Sequence, residues 1–324
     1  MTSSIHSAVG GAIREMQAGN DSCCHLVTLS PCHLVTLSPQ DALRRLACAG
    51  REGVCDTGRY RCRYYVWGEG PPLVFVPGLS DDRLSFVLPI TLLSEHFRCV
   101  AYDLPTGQAD GARLSAYRHD DYAADLLALL DHLDIDRGYL FGSSFGSTIV
   151  LRLLHDQPQR VARAVLQGGF AHRRLAWAEI LLASLARYWP GPMRRLPFRE
   201  AVLRQSHQAA FAERAPEWWD YFLTRWGVTP MAAVAHRALV LKRLDLRPLL
   251  PAIRQPVLLV CGDRDPLVNR GCERELLDGL PNATRVELTG CGHLPMFTHP
   301  EVLAEVVYRF LTPLPCASPL DTAP

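Results

Sequence analysis

The sequence predicts an α/β fold whose central sheet is mostly parallel and covered by helices on both faces. From Arg59 onward, short strand-like runs alternate with longer stretches of helical period. Several of these runs, Leu73–Val76 and Pro256–Cys261 among them, are apolar throughout, which suits strands buried on both faces rather than strands with one wet face. A chain of 324 residues with 48% hydrophobic and 21% charged content has room for one enlarged globular unit.

Composition also excludes. A formal net charge of +1 leaves neither a basic face for nucleic acid nor an acidic tail, so a small, uncharged substrate is the easier partner to accommodate. Eleven cysteines is an odd number for a secreted disulfide framework, and the first 20 residues lack the charged start and apolar run of a secretory signal. These points lead to the expectation of reduced thiols and a cytoplasmic protein. No stretch approaches the ~20 apolar residues of a membrane span, and the nearest, Ile180–Ala186, ends at Arg187. Oligomeric state is not legible.

Residues 1–57 are rich in Ser, Gly, Thr and Cys and read as a disordered extension. They hold a perfect tandem repeat, CHLVTLSP at Cys24–Pro31 and again at Cys32–Pro39. Structural solenoids repeat inexactly and at longer periods; an exact octapeptide is what translated simple-sequence DNA gives. Cys23, Cys24, His25, Cys32 and His33 cluster by type, but the apolar LVTLSP between copies supplies no turn that would close a tetrahedral zinc site, so no metal is expected.

Beyond the extension the elements follow in order. Arg59–Trp67 and Leu73–Val76 read as strands, the latter stopping at Pro77-Gly78; Leu84–Leu93 as a helix; Arg98–Tyr102 as a strand ending in Asp103. His119–Leu133 carries Tyr122, Leu126, Leu129 and Leu133 on one helical stripe, and Gly138–Phe141 is the next strand.

Gly142-Ser143-Ser144-Phe145-Gly146 fits G-x-S-x-G, with a strand entering and a helix, Phe145–His155, leaving. Such a tight turn brings the residues two before and two after the serine against each other's backbone, which is why both are glycine. The helix that follows turns its amide end and positive dipole toward Ser144, favouring negative charge there. A phosphate-binding turn is the rival reading, but neither G-x-G-x-x-G nor G-K-[ST] is present. Gly290-Cys291-Gly292-His293 places a histidine in a glycine-flanked loop after a strand, Arg285–Leu288, and ahead of a helix, Pro300–Phe310; a general base needs that reach. Cys291 reads as a small filler whose thiol could make the base sensitive to alkylation, and His299 as a helix-start residue.

On Val76-Pro77-Gly78-Leu79, on Asp103 with Pro105 and Gly107, on the Ser144 turn, and on the Asp265 and His293 segments, residues 59–311 resemble the α/β-hydrolase superfamily. The resemblance implies an α/β-hydrolase fold with an eight-stranded, largely parallel sheet and function at the carboxyl ends of its strands. It implies Ser144 as nucleophile, His293 as base and, three residues after Gly262, Asp265 rather than Asp263 as the carboxylate that orients the histidine. It implies the backbone amides of Leu79 and Phe145 as oxyanion donors. Many relatives carry histidine where this chain has Pro77, and Asp81 and Asp82 are unexpected so close to an oxyanion; they should point away or bind a substrate donor.

The same resemblance divides the chain into core at 58–170, a helical cap at 171–250, core at 251–313 and a flexible tail at 314–324. Trp177, Trp189, Trp218, Trp219 and Trp226 lie in the cap, and one or two of them are expected to wall an apolar substrate cavity. The implied function is a serine hydrolase acting without cofactor on a small to medium ester, lactone or thioester of apolar or weakly polar acyl character. Acyl transfer or carbon–carbon bond hydrolysis would use the same residues, and a non-catalytic binding module is the alternative of another class.

Overall fold

The structure, a computed structural model, describes residues 13–17, 25–27, 38–211, 214 and 216–312. Its strands form one sheet in the order β2-β1-β10-β9-β8-β7-β5-β6-β4-β3. These are β1 (Ile13–Gln17), β2 (His25–Val27), β3 (Arg51–Asp56), β4 (Arg61–Trp67), β5 (Pro72–Val76), β6 (Arg98–Tyr102), β7 (Gly138–Ser143), β8 (Val161–Gln167), β9 (Val257–Gly262) and β10 (Ala283–Leu288). From β10 through β9, β8, β7 and β5 to β6 every pairing is parallel, and the antiparallel strands sit at the two edges.

The apolar runs of the central strands follow from this placement. In β5, Leu73 and Phe75 face one layer of core and Val74 and Val76 the other; in β6, Cys99 and Ala101 oppose Val100 and Tyr102 in the same way. Helices α1 (Pro39–Ala49), α2 (Val87–Leu93), α3 (His119–His132) and α4 (Phe145–Asp156) precede β8 in the chain. Between β8 and β9 the chain inserts α5 (Trp177–Ala186), α6 (Arg199–His207), α7 (Pro216–Arg225) and α8 (Met231–Leu241); α9 (Arg270–Gly279), α10 (Pro295–Thr298) and α11 (Pro300–Leu311) complete the fold. Strand order reverses between β5 and β7, and in open α/β sheets ligands bind at the strand carboxyl ends beside such a switch point. The loops there are Pro77–Leu79 and the Ser144 turn.

One boundary differs from the sequence reading. Regular structure is present before residue 58, and from Ser38 the chain is described continuously as far as Phe211. Ser38 caps α1 by accepting the Asp41 amide at 3.1 Å, Pro39 occupies the first helical position, and Ala42 and Leu46, one turn apart, are buried. β3 then pairs with β4 as a hairpin closed by Gly58 at φ +79°. Neither element is conspicuous in sequence: β3 is an edge strand whose one fully buried residue is Cys55, so it has no apolar run to reveal it. Farther upstream, β1 pairs antiparallel with β10 and β2 with β1. Of the tandem repeat, His25–Val27, Ser38 and Pro39 are within the described residues; its cysteines and the expected tail at 314–324 lie outside them. The helix expected from Leu84 divides into a 3-10 turn, Arg83–Phe86, and α2, because Asp82 caps the turn by accepting the Leu84 amide.

Leu46 ties α1 to the core, so Leu46→Ala should destabilise the protein by about 2–3 kcal/mol. Urea unfolding measures this, and a loss below about 0.5 kcal/mol would place α1 outside the cooperative unit.

Candidate active site

β7 ends at Ser143 and α4 begins at Phe145, leaving Ser144 alone at the turn with φ 48° and ψ −113°. A side chain at positive φ costs on the order of 1–3 kcal/mol and persists where surrounding bonds dictate it. Here the Ser144 amide donates to the Gln167 carbonyl of β8 at 2.8 Å, and the Ser144 carbonyl accepts from the Ser147 amide at 2.9 Å and the Ser147 hydroxyl at 2.6 Å. Both glycines of the motif are required sterically. A Cβ on Gly142 would lie 2.8 Å from the Gly146 carbonyl oxygen, and one on Gly146 only 2.2 Å from that of Val76. The second contact also shows how closely the elbow presses on the loop after β5. Phe145, as the first residue of α4, has an amide with no acceptor inside the helix.

Asp265 and His293 meet on the loops after β9 and β10: His293 Nδ1 and Asp265 Oδ2 are 2.6 Å apart, and both side chains are buried. The other oxygen, Oδ1, accepts the Leu267 amide at 2.8 Å and the Val268 amide at 3.0 Å. Burial pushes the Asp265 carboxyl up, but the bonds from His293 and from these amides outweigh it and hold it below the usual carboxylate value. Asp263 has a different place: its Oδ1 accepts the Cys291 amide at 3.1 Å and so shapes the loop that carries His293.

Gln167, at the end of β8, joins the two halves of the site. Its carbonyl holds Ser144, its side-chain oxygen accepts the Ser143 hydroxyl at 2.9 Å, and its side-chain amide donates to the His293 carbonyl at 2.9 Å. The next residue, Gly168 at φ +53°, leaves room for the imidazole, since a Cβ there would come within 2.8 Å of His293 Cε1. Sequence reasoning missed Gln167. A buried glutamine closing an apolar strand was the available signal.

The loop bearing Leu79 is held from the inserted helices. Arg237 of α8, fully buried, donates to the Leu79 carbonyl at 2.6 Å and to the Pro105 carbonyl at 3.2 Å; the Thr229 hydroxyl donates to the Ser80 carbonyl at 2.7 Å; Arg225 of α7 pairs with Asp82. Asp82 is thus engaged by Arg225 and by the Leu84 amide. Asp81 turns inward, and its Oδ2 accepts the Gly78 amide at 3.0 Å beneath the loop. Burial pushes its carboxyl up to about 6, against the Gly78 bond and the charges of His293 and Arg237.

A cavity of about 170 Å³ opens beside His293, lined by His207, Ala209 and Phe211 from the inserted helices and by Arg264, Pro266 and Leu294 from the core loops. No tryptophan lines it. Trp218 and Trp219 are packed into the core with Phe211, Phe222 and Phe297, whereas Trp177 is 78% exposed, so the tryptophans expected in a cavity wall do not line this cavity. Cys291 is buried with its thiol pushed up to about 12 by burial, which fits a filler and not an alkylation-sensitive thiol. His299 sits at the start of α11 as expected.

An elbow serine and a buried histidine–carboxylate pair at the switch point of a mostly parallel sheet are features of a hydrolase of the α/β class. The sequence profile of the alpha/beta hydrolase fold matches residues 71–300, and the chain belongs to this family of enzymes. It is 25% identical over 257 residues to an uncharacterized hydrolase of Bacillus subtilis, covering 76% of this chain and 93% of that one. Over another 257 residues it is 27% identical to a putative carbamate hydrolase of Serratia proteamaculans, covering 74% and 91%. Among solved structures, the enol-lactonase of Burkholderia xenovorans matches with a TM-score of 0.71 at 24% identity, over 81% of this chain and 99% of that one. An esterase of Thermogutta terrifontis matches at 0.70 with 20% identity, over 81% and 98%.

Asp81 makes a testable contribution to stability. A carboxyl whose native value is raised stays protonated in the folded protein over a range where the unfolded chain has released its proton. Stability therefore falls as pH rises from about 4 to about 6, then levels off. Asp81→Asn removes this slope, so the variant should gain on the order of 2 kcal/mol relative to the parent across that window. Urea unfolding as a function of pH tests it; parallel profiles would show that Asp81 ionises in the fold at no cost.

Proposed function

We infer that the chain is a serine hydrolase that cleaves a small to medium carboxylic ester, lactone or thioester through an acyl-enzyme intermediate. The observation that carries this reading is the His293–Asp265 hydrogen bond at the switch point where Ser144 occupies a strained elbow. Ser144 Oγ attacks the carbonyl carbon while His293 Nε2 takes its proton. Asp265, kept ionised, holds Nδ1–H and stabilises the imidazolium that forms. The amides of Phe145 and Leu79 receive the negative oxygen of the tetrahedral intermediate. Collapse expels the alcohol or thiol, which leaves with the proton from His293, and water then repeats the sequence to free Ser144. The route uses side chains and backbone amides alone.

The inserted helices serve as a cap that also sets the oxyanion loop, through Arg237, Thr229 and Arg225. An enol-lactonase, an esterase and a carbamate hydrolase among the relatives all act at carbonyl carbons bonded to a heteroatom, which supports the same reaction class here. Free thiols, including the exposed Cys48, fit a reducing compartment such as the cytoplasm.

A fluorophosphonate probe should label the folded protein and fail to label Ser144→Ala. Absence of labelling in the parent, or its persistence in the variant, would remove Ser144 from the role of nucleophile. Arg237→Met should lower kcat toward esters about 10- to 100-fold with little change in KM, because a single oxyanion donor is worth about 10²–10³ and this change displaces one rather than deleting it. A rise in KM alone would instead assign Arg237 to substrate binding.

A further inference from the structure

The tryptophans expected in a cavity wall lead to a different surface. Trp177, Leu181, Leu182 and Leu185 recur at i, i+4, i+5 and i+8 along α5, which puts them on one face of the helix, and that face is open: they are 78%, 52%, 67% and 64% exposed. Tyr188 and Trp189, just past the helix end, are 74% and 39% exposed. Ala183 on the opposite side is buried, and α5 packs against α8, so the helix is anchored with its apolar face outward. Phe198, farther along the same segment, is 84% exposed at φ 59°, an aromatic side chain presented to solvent from a backbone conformation that such residues rarely adopt.

The charge of the segment that carries this face is lopsided. Residues 171–198 contain five arginines and one acid, Glu179, in a chain whose net charge is +1. Arg173 is paired with Glu179, while Arg174, Arg187, Arg194 and Arg195 are exposed. Tryptophan, tyrosine and arginine share a property that leucine lacks: each joins an apolar body to a polar end, the character of side chains seated between hydrocarbon and water. Exposed arginines on the same segment as a leucine and tryptophan face are complementary to a surface that is apolar inside and negatively charged at its edge.

We propose that the α5 face, with Tyr188 and Trp189, docks the protein reversibly on an anionic phospholipid bilayer. Trp177, Leu181, Leu182 and Leu185 enter the boundary between headgroups and acyl chains, and the arginines rest on lipid phosphates. A second copy of the chain is the less fitting occupant, because a two-fold contact through this patch would bring two sets of arginines together. No helix among the described residues is long and apolar enough to cross a membrane, so the contact is interfacial. The chain runs only nine residues from Gly168, against His293, to Trp177, which keeps the docked face within about 30 Å of the histidine. The surface does not depend on what Ser144 does.

Flotation of the full chain with vesicles tests this, comparing pure phosphatidylcholine with an equal mixture of phosphatidylcholine and phosphatidylglycerol. The expected result is binding to the anionic vesicles at least about tenfold tighter than to neutral ones, weakened by salt, with a blue shift of tryptophan emission that Trp177→Phe diminishes. Arg187→Gln, Arg194→Gln and Arg195→Gln together should weaken binding on the order of 100-fold, at about fivefold per arginine. Trp177→Ala with Leu182→Ala should cost about tenfold or more. All these positions are exposed, and unchanged thermal melting verifies that the variants are folded. Failure to bind either vesicle, equal binding to both, or full binding by the two variants would overturn the proposal. So would a dimer in analytical ultracentrifugation that Trp177→Ala with Leu182→Ala abolishes, which would name a second copy as the occupant.

Discussion

The backbone of Ser144 is the constraint around which the rest is arranged. A serine at φ 48° is a local loss on the order of 1–3 kcal/mol, and each bond that maintains it is worth about 1 kcal/mol. The carbonyl of Gln167, the amide and hydroxyl of Ser147, and the absence of side chains at Gly142 and Gly146 must act together. Because Gln167 closes β8 and Gly146 touches the loop after β5, the elbow cannot relax without disturbing the two strands that flank β7 in the sheet. The strain is shared by the sheet, and that is what keeps the hydroxyl-bearing residue at one orientation.

How much of this could be read in the sequence depended on whether a feature is local. The elbow was legible because glycine spacing records a steric demand within five residues. The central strands were legible because burial on both faces forces continuous apolar runs, and the loop before His293 because glycines flank it. Asp265 was selected over Asp263 by resemblance alone; what distinguishes them physically is that one meets the imidazole and the other the Cys291 amide, a difference two residues apart in sequence cannot display. The N-terminal boundary was missed for the converse reason: α1 buries few residues and β3 is an edge strand with one fully buried side chain. Gln167 and Arg237 escaped because their partners lie 126 and 158 residues away. The tryptophans misled because composition places aromatics in a segment without saying which side of a helix they occupy.

The loop after β5 shows how a departure in sequence is absorbed. Pro77 can neither donate a backbone hydrogen bond nor reach a partner with a polar side chain, so whatever fixes the Leu79 amide must come from elsewhere. The structure supplies a guanidinium from α8, a hydroxyl from Thr229 in the loop before it and an ion pair from α7, all from the segment inserted between β8 and β9 and all directed at residues 79–82. Burying Arg237 is costly, and its Nε has no partner among the described residues. Such a group is tolerated where two carbonyls and a nearby carboxylate, Asp81, offset its charge. Asp81 bears the complementary penalty, its own carboxyl pushed upward by burial. The two charges act on each other electrostatically beneath the loop, while the contacts that link the inserted helices to it are Arg237 with the Leu79 and Pro105 carbonyls. A displacement of α8 would therefore move the Leu79 carbonyl, and with it the peptide plane next to the proposed oxyanion donor. The inserted helices and the loop after β5 are thus mechanically one unit, and the proposed membrane contact of α5, which packs on α8, would act on that unit directly.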